Sequence, residues 1–447
     1  MTNVSTDKGV LPGGLMRSPE YADSIRRIRD KAAADGLLLF DPFDPRFRED
    51  PNPLYAELRS TNPIHRSPLG FWVFTRHADC MAILRDRRSS SDGRNIDQEA
   101  VGAVGAATVD AAAPIAPTQQ IFNEMAPFLF RDPPDHTRLR GLVQKAFTPR
   151  VVESLRHRAV DISTGLVDNA LEKGDIDLVH DFAYVLPVRI IAEMLGVPDS
   201  DLEVFKEWSD HLGRGLDPDF LLPPEAVQAR LDSLVAFIGY FAKLIEDRKN
   251  DLGDDLLSKL IAAEDGGVSL SQGELISTCI LLLVAGHETT VNLISGGILE
   301  LVRHPDQLVR FRDDPTVLKT GVEEMLRYVT PVQLSGRSML EDMEIGGETL
   351  HKGEFAMVIM GSANRDPAVF ADPETFDVGR TENPHMALGF GIHFCLGAAL
   401  ARLEAQVIIP ELLRRTSNIA VLTDKLNYRE NIILRGLSEL PVRVTPA

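Results

Sequence analysis

The sequence predicts a mainly α protein with a small β part, built as one domain. Helical periodicity dominates from about Tyr55 to Arg327, and after Thr330 it gives way to short β-like pieces. Across the 447 residues the composition never shifts enough to mark a linker.

The elements follow in chain order. The first twenty residues lack an apolar stretch behind a basic flank, so they read as neither signal peptide nor membrane anchor. A disordered tail is expected over 1–20 and a single domain over 21–447. Residues 89–127 are rich in Ala, Gly and Pro with weak periodicity, which predicts a long irregular loop, and such loops in compact domains are usually functional. A helix starts with Pro187 in its first turn and stops at Gly196, before Pro198. Ser271 and Glu274 have capping-box spacing, and a helical pattern runs from there to Arg303, roughly 50 Å at 1.5 Å per residue. A helix of that length crosses the domain. Strands are expected at 332–340 and 355–360, with a Gly346-Gly347 turn between them, and further candidates lie at 419–422 and 432–434.

Charge excludes some functions. Lys plus Arg number 47 against 66 for Asp plus Glu, a net charge of −19, and a field of that sign repels nucleic acid and anionic lipid. The cysteines Cys80, Cys279 and Cys395 are too scattered for a disulfide framework or a paired-cysteine zinc site, and they suit a reducing compartment. The longest apolar runs, such as 279–286, fall short of a membrane span. A soluble, cytoplasmic protein is expected.

Four segments carry chemistry. Gly389-Phe-Gly391-Ile-His393-Phe-Cys395-Leu-Gly397 is a glycine-rich loop that delivers one cysteine to the start of an amphipathic helix, where the dipole and free amides favour a thiolate. Gly391 and Gly397 remove side chains where a flat ligand would need close backbone approach. A single thiolate in an apolar setting is a poor zinc site and a good axial ligand for haem iron; the plain alternative is a structural cysteine beside a turn. Pro410 should kink or end the helix that follows. Ala285-Gly286-His287-Glu288-Thr289 places an acid and an alcohol inside the long apolar helix, where polar groups are costly unless bonded or functional, and Gly286 weakens the helix so that a groove can open. Glu324 and Arg327 stand one turn apart, an ordinary helical ion-pair spacing. His136 and Arg140 share a helical face, a donor pair suited to a carboxylate, although a solvated basic face has the same spacing.

Together these segments resemble the cytochrome P-450 family of haem-thiolate monooxygenases. Gly389, Gly391, His393, Cys395 and Gly397 match its F-G-x-G-x-H-x-C-x-G loop, with Leu388 in place of the leading aromatic and Phe390 one position inside. The central motif matches A-G-x-[DE]-T, and Glu324-x-x-Arg327 is followed by Pro373-x-x-Phe376-Asp-x-x-Arg380; the resemblance spans roughly residues 40–445.

The resemblance implies a triangular single-domain fold with haem b between the long central helix and the Cys-loop helix. Cys395 would ligate the iron. His136, Arg140, Arg337 and His393 would hold the propionates, while Gly286, Gly391 and Gly397 border the cofactor. Glu288 and Thr289 would be the acid–alcohol pair that supplies protons during oxygen activation, with His287 a wall or structural residue. Glu324, Arg327 and Arg380 would lock the core behind the haem. The 89–127 loop, the 205–234 region and Ala285, Val332, Leu334 and Ile433 would line the substrate pocket.

The implied reaction inserts one atom of dioxygen into a C–H bond of a lipophilic small molecule such as a steroid, terpenoid, fatty acid or macrolide. No flavin or iron–sulfur motif appears, so electrons are expected from a separate ferredoxin and its NAD(P)H-dependent reductase, docking near Arg138 and Lys145. Two rival readings share Cys395: a peroxide-driven peroxygenase, whose relatives generally lack the acid–alcohol pair, and a haem sensor or carrier, which needs neither that pair nor an apolar pocket.

Overall fold

The computed structural model describes residues 19–97, 125–217, 222–265 and 267–447. Its axis is the central helix, Gln272–Arg303, whose 32 residues span about 48 Å. The capping box starts it: the Glu274 amide donates to Ser271 Oγ at 3.3 Å, and the Ser271 amide donates to the Glu274 carboxylate at 2.8 Å. That satisfies two of the amides a helix start leaves open. Leu275, Cys279, Leu283, Val291, Ile294, Ile298 and Leu301 are buried, because the helices Val185–Met194, Pro224–Lys249, Leu318–Val329 and Ala398–Arg415 all pack against it. By length and composition this helix could cross a membrane, contrary to the reading of its apolar runs, but 72% of its most apolar window is buried inside the protein. A helix apolar on most sides is here a core helix.

The β part is centred on a five-stranded sheet in the order Ile64–Arg66, Trp72–Phe74, Phe355–Ile359, Leu334–Met339, Ser89–Ser90. Strand alternation divides its side chains between two cores. Val73 and Met357 join Phe40, Phe47, Tyr55 and Leu58, whereas Trp72, Phe74, Ala356 and Val358 join Ile83, Leu84 and Met339. The first two strands lie inside the stretch whose pattern reads as helical, since three residues each are too few for alternation to register.

Most expected elements are present, with informative departures. Gly346 at φ +61° and Gly347 at φ +93° turn the hairpin between Met343–Ile345 and Glu348–Leu350. Residues 419–422 fall largely within Thr416–Val421, which pairs antiparallel with Pro441–Pro446. Residues 432–434 are not a strand: Leu434 makes an isolated bridge to Val332, and the amides of Ile432 and Ile433 are taken by the Asp217 carboxylate. The helix containing Pro187 starts earlier, at Val185, after a π-type turn at Leu178–Ala183. The helix Ala398–Arg415 runs through Pro410, its last turns held by the buried Ile408, Ile409, Leu412 and Leu413. The helix Pro19–Ala34 reaches into the last two residues of the expected tail; the rest of that tail, and positions 98–124 of the 89–127 loop, lie outside the described residues.

Candidate active site

The cysteine loop is shaped by backbone requirements. Gly389 and Gly391 adopt φ +69° and +67°, and a Cβ on Gly391 would sit 2.4 Å from the Leu84 carbonyl oxygen, so that position tolerates only glycine. The Cys395 amide donates to the Leu388 carbonyl at 2.8 Å, which closes the loop just before the helix Ala398–Arg415. A Cβ on Gly397 would approach Sγ only to 3.9 Å, an ordinary contact. Cys395 keeps part of its surface open while its sulfur lies deep in the protein. Burial pushes its thiol up; the Gly397 amide, Arg140, Arg402 and the Ala398 amide act in the opposite direction and do not overcome it. The helix start alone does not offset burial, and a metal cation on the sulfur would favour the thiolate that burial disfavours.

Beside the loop the fold gathers donors from three elements. His136 and Arg140 come from the helix Asp135–Ala146, His393 from the turn Gly391–His393, and Arg337 from the strand Leu334–Met339. The His136 and His393 rings lie 4.4 Å apart between centroids. His393 shares a 2.6 Å hydrogen bond between Nε2 and Ser91 Oγ, but its buried Nδ1 has no partner, and neither nitrogen of the buried His136 makes a hydrogen bond of normal geometry. Arg337 is buried and donates to Ser335 Oγ at 2.8 Å and to the Gly336 carbonyl at 2.6 Å; Arg140 donates to the Phe394 carbonyl at 2.5 Å. Burial, then the charges of Arg337, His136 and Arg140, drive His393 down to about 3, and burial lowers Arg337 to about 10.

The Asp132 carboxylate opposes these shifts at His136 and Arg337, but it accepts from Ser90, the Ser91 amide and Asn95, and the His136 nitrogens and His393 Nδ1 stay without a hydrogen-bond partner. The residues present therefore fit a haem, whose two carboxylates would accept these donors while Cys395 met the iron. Sequence reasoning missed Ser91, which no motif marks.

On the central helix, Ala285 is exposed and Thr289, one turn on, is half-buried, with its hydroxyl donating to the Ala285 carbonyl at 2.9 Å. Gly286 points elsewhere: a Cβ there would lie 3.4 Å from Ile191 on the Val185–Met194 helix. Each helical step turns the side-chain direction about 100°, which carries that Cβ position to the face where the Val185–Met194 helix packs. The helix is continuous there, and the Thr290 hydroxyl likewise donates to the Gly286 carbonyl one turn earlier, at 3.1 Å.

Glu288 also turns away from Thr289. It is buried, its Oε2 accepts from Arg429, and its Oε1 lies 3.2 Å from His287 Nε2. Arg429 also stands 3.7 Å from Asp210. Burial would raise Glu288, but His287 and Arg429 outweigh it and hold the acid low; Asp210 is pushed up by burial and by the Glu288 charge. Arg429 was invisible to motif reasoning, since it lies in an irregular segment after the last strong pattern. His287 is buried, donates from Nδ1 to the Leu283 carbonyl at 2.7 Å, and packs edge-on against Tyr184, a structural placement.

Glu324 and Arg327 are fully buried, joined by two 2.7 Å hydrogen bonds. Arg327 also donates to the carbonyls of Asn364, Pro373 and Thr375, while Glu324 accepts from Asp377, Arg380 and Asn383. Of the expected pocket residues, Val332 and Ile433 are half-buried, whereas Leu334 is 2% exposed within the core of Phe40, Tyr55 and Phe71. Leu334 thus backs the wall instead of forming it. Arg138 is paired with Glu274, and Lys145 reaches the Glu264 carbonyl at 3.2 Å.

A helical fold threaded by one long helix, with a glycine-shaped cysteine loop beside a donor cluster whose histidine nitrogens are unpartnered, defines a haem-thiolate protein. The cytochrome P-450 family profile matches residues 109–425. The chain is 38% identical to polyketide biosynthesis cytochrome P-450 PksS of Bacillus subtilis over 91% of its own length and 99% of that protein. It is 39% identical to the vitamin D(3) 25-hydroxylase of Pseudonocardia autotrophica, over 91% and 96%. Among solved structures, cytochrome P-450 BioI in complex with a hexadec-9Z-enoic acid ligated acyl carrier protein superimposes with a TM-score of 0.81 at 36% identity, covering 89% of this chain and 99% of that one. The chain belongs to the cytochrome P-450 family and is a haem b-dependent monooxygenase.

Proposed function

We propose that the protein hydroxylates or epoxidises a lipophilic small molecule of steroid, terpenoid, fatty-acid or macrolide size, using electrons from a separate ferredoxin and its NAD(P)H-dependent reductase. Haem, when bound, supplies the oxidising chemistry that inserts one oxygen atom from dioxygen. The observation that carries the reading is the convergence of His136, His393, Arg337 and Arg140 around the Cys395 loop, with the His136 nitrogens and His393 Nδ1 left unpartnered. In this reading Cys395 ligates the iron and the four donors orient the cofactor through its carboxylates. Thr289, on the open face of the central helix, hands on a proton at its hydroxyl, whereas Glu288, held ionised by Arg429 on the other face, can act only as a proton acceptor on the side of Arg429 and Asp210. Glu324, Arg327 and Arg380 brace the segment that leads into the cysteine loop.

In this reading Ala285, exposed on the central helix, and the half-buried Val332 and Ile433 line the apolar side of the substrate site. The relatives' names point the same way: one is a polyketide biosynthesis protein and one a vitamin D(3) hydroxylase. A carrier-bound acyl chain is a further candidate form of the substrate, on the precedent of the BioI complex. The ferredoxin would dock near Arg138 and Lys145, and a cytoplasmic location accords with that partner.

Reduction of the purified holoprotein under carbon monoxide should give the long-wavelength Soret band of a thiolate ligand, and a globin-like band would refute Cys395 ligation. Thr289→Ala should keep consuming NADH with ferredoxin and reductase while product falls and peroxide rises. Unchanged coupling removes Thr289 from the proton path, and turnover supported better by peroxide than by ferredoxin replaces this reading with the peroxygenase.

A further inference from the structure

The helix Leu202–Arg214 and the residues after it meet the C-terminal turn along one stripe. Asp210, Gly213 and Arg214 have the i, i+3, i+4 spacing of a single helical face, and Asp217 follows in the turn just beyond the helix. Each meets the segment 429–433: Asp210 stands 3.7 Å from Arg429, the Gly213 carbonyl accepts from Asn431 Nδ2 at 3.2 Å, and Arg214 donates to Glu430 at 2.6 Å. The fourth contact differs in kind. Asp217 is 3% exposed, and its two carboxylate oxygens accept the amides of Ile432 and Ile433, each at 3.0 Å.

That geometry has a consequence for the pocket wall. From the other side, the Gln333 amide donates to the Ile433 carbonyl at 2.8 Å, and the Arg435 amide donates to the Pro331 carbonyl at 2.9 Å. Ile433 is therefore held between the strand that starts at Leu334 and one buried carboxylate. A bidentate, charge-assisted grip on consecutive amides fixes both the position and the orientation of a turn that has no strand ladder of its own.

We propose that Asp217 is a positioning residue that sets the Ile433 wall of the substrate pocket and so limits the size of ligand accepted. The inference rests on the monooxygenase reading with Ile433 as a wall. Asp217→Asn leaves one acceptor and turns an NH2 toward the other amide, so the wall loses its preorganisation while the haem site is untouched.

The test is spectral titration of the ferric holoprotein with two iron-ligating probes, imidazole, which is too small to need the wall, and clotrimazole, which fills the pocket. Asp217→Asn should weaken clotrimazole by about tenfold and leave imidazole within about twofold, and the amides of Ile432 and Ile433 should exchange with deuterium faster. A general structural defect would move both probes together. Ile433→Ala, which leaves the carboxylate alone, should reproduce the split. An unchanged ratio of affinities in Asp217→Asn overturns the proposal, as does a loss shared equally by both probes. An unchanged ratio in Ile433→Ala shows that the wall assignment is wrong and overturns it by another route. Should Asp217→Asn fail to retain haem, exchange in the wild type decides: Ile432 and Ile433 protected like the strand Leu334–Met339 support the clamp, and fast exchange refutes it. Failure of the monooxygenase reading itself would show separately, as a wild type without a thiolate-type carbon monoxide band.

Discussion

Glu324→Gln should cost about 3–5 kcal/mol, the range for removing one partner of a buried ion pair. In the native protein the Glu324 carboxylate accepts Arg327 Nε and Nη2 at 2.7 Å, the Asp377 amide at 3.0 Å, and Arg380 Nε and Asn383 Nδ2 at 3.2 Å. Glutamine keeps one oxygen but turns an NH2 group into the remaining donors, and it leaves Arg327, fully buried, without a counterion. An exposed pair of the same spacing would be worth only about 0.2–1 kcal/mol, so the size of the loss separates the two cases. The assay is urea unfolding followed by far-ultraviolet circular dichroism and by Soret absorbance. Because Asp377 and Asn383 lie on the segment leading to the cysteine loop, the thiolate band of the carbon monoxide complex should disappear at lower urea than in the wild type. A loss below about 1 kcal/mol would refute the reasoning, since it would mean that the carboxylate is not the anchor of this network.

Glu323 accepts from Arg402 Nε at 2.6 Å and from His385 at 3.0 Å; burial would raise its carboxyl, but these partners prevail and hold it down to about 2, against an ordinary 4.5. A depressed carboxyl stabilises the fold above its ordinary value and loses that contribution as the pH falls toward the native one, so Glu323→Gln should be about 1–2 kcal/mol less stable at neutral pH after allowance for solvent screening. The gap should close in unfolding curves taken stepwise from pH 4.5 downward, and a gap that widens would contradict the assignment. Gly391→Ala must place a Cβ 2.4 Å from the Leu84 carbonyl at φ +67°, so its haem content per polypeptide should fall severalfold; full haem occupancy would show that the loop does not need the left-handed turn.

Features carried by adjacent residues were legible in the sequence. The central helix is an example: Ser271 and Glu274 set its start, an apolar pattern sets its length, and local hydrogen bonding decides both. Cys395 with its glycines, and the Glu324–Arg327 pair, were legible because a turn or a helix fixes their spacing before any tertiary contact forms. Direction was not. Glu288 and Thr289 are neighbours in sequence yet diverge by a helical step, so what packs on each side had to decide that one meets Arg429 and the other an open face. Gly286 serves the Val185–Met194 helix for the same reason, and Leu334 belongs to a core assembled from residues some three hundred positions away.

By itself, then, the sequence determined the fold class and the cysteine loop, because each depends on patterns within a few turns of chain, and the family resemblance added the set of histidine and arginine donors. Only the tertiary structure decided which histidine nitrogens are left without a partner, where the acid of the central helix points, and that Asp217 grips a turn some 215 residues later. Burial and pairing depend on segments that are remote in sequence, and it is their desolvation, more than the identity of any one residue, that sets the charge state and orientation of these groups.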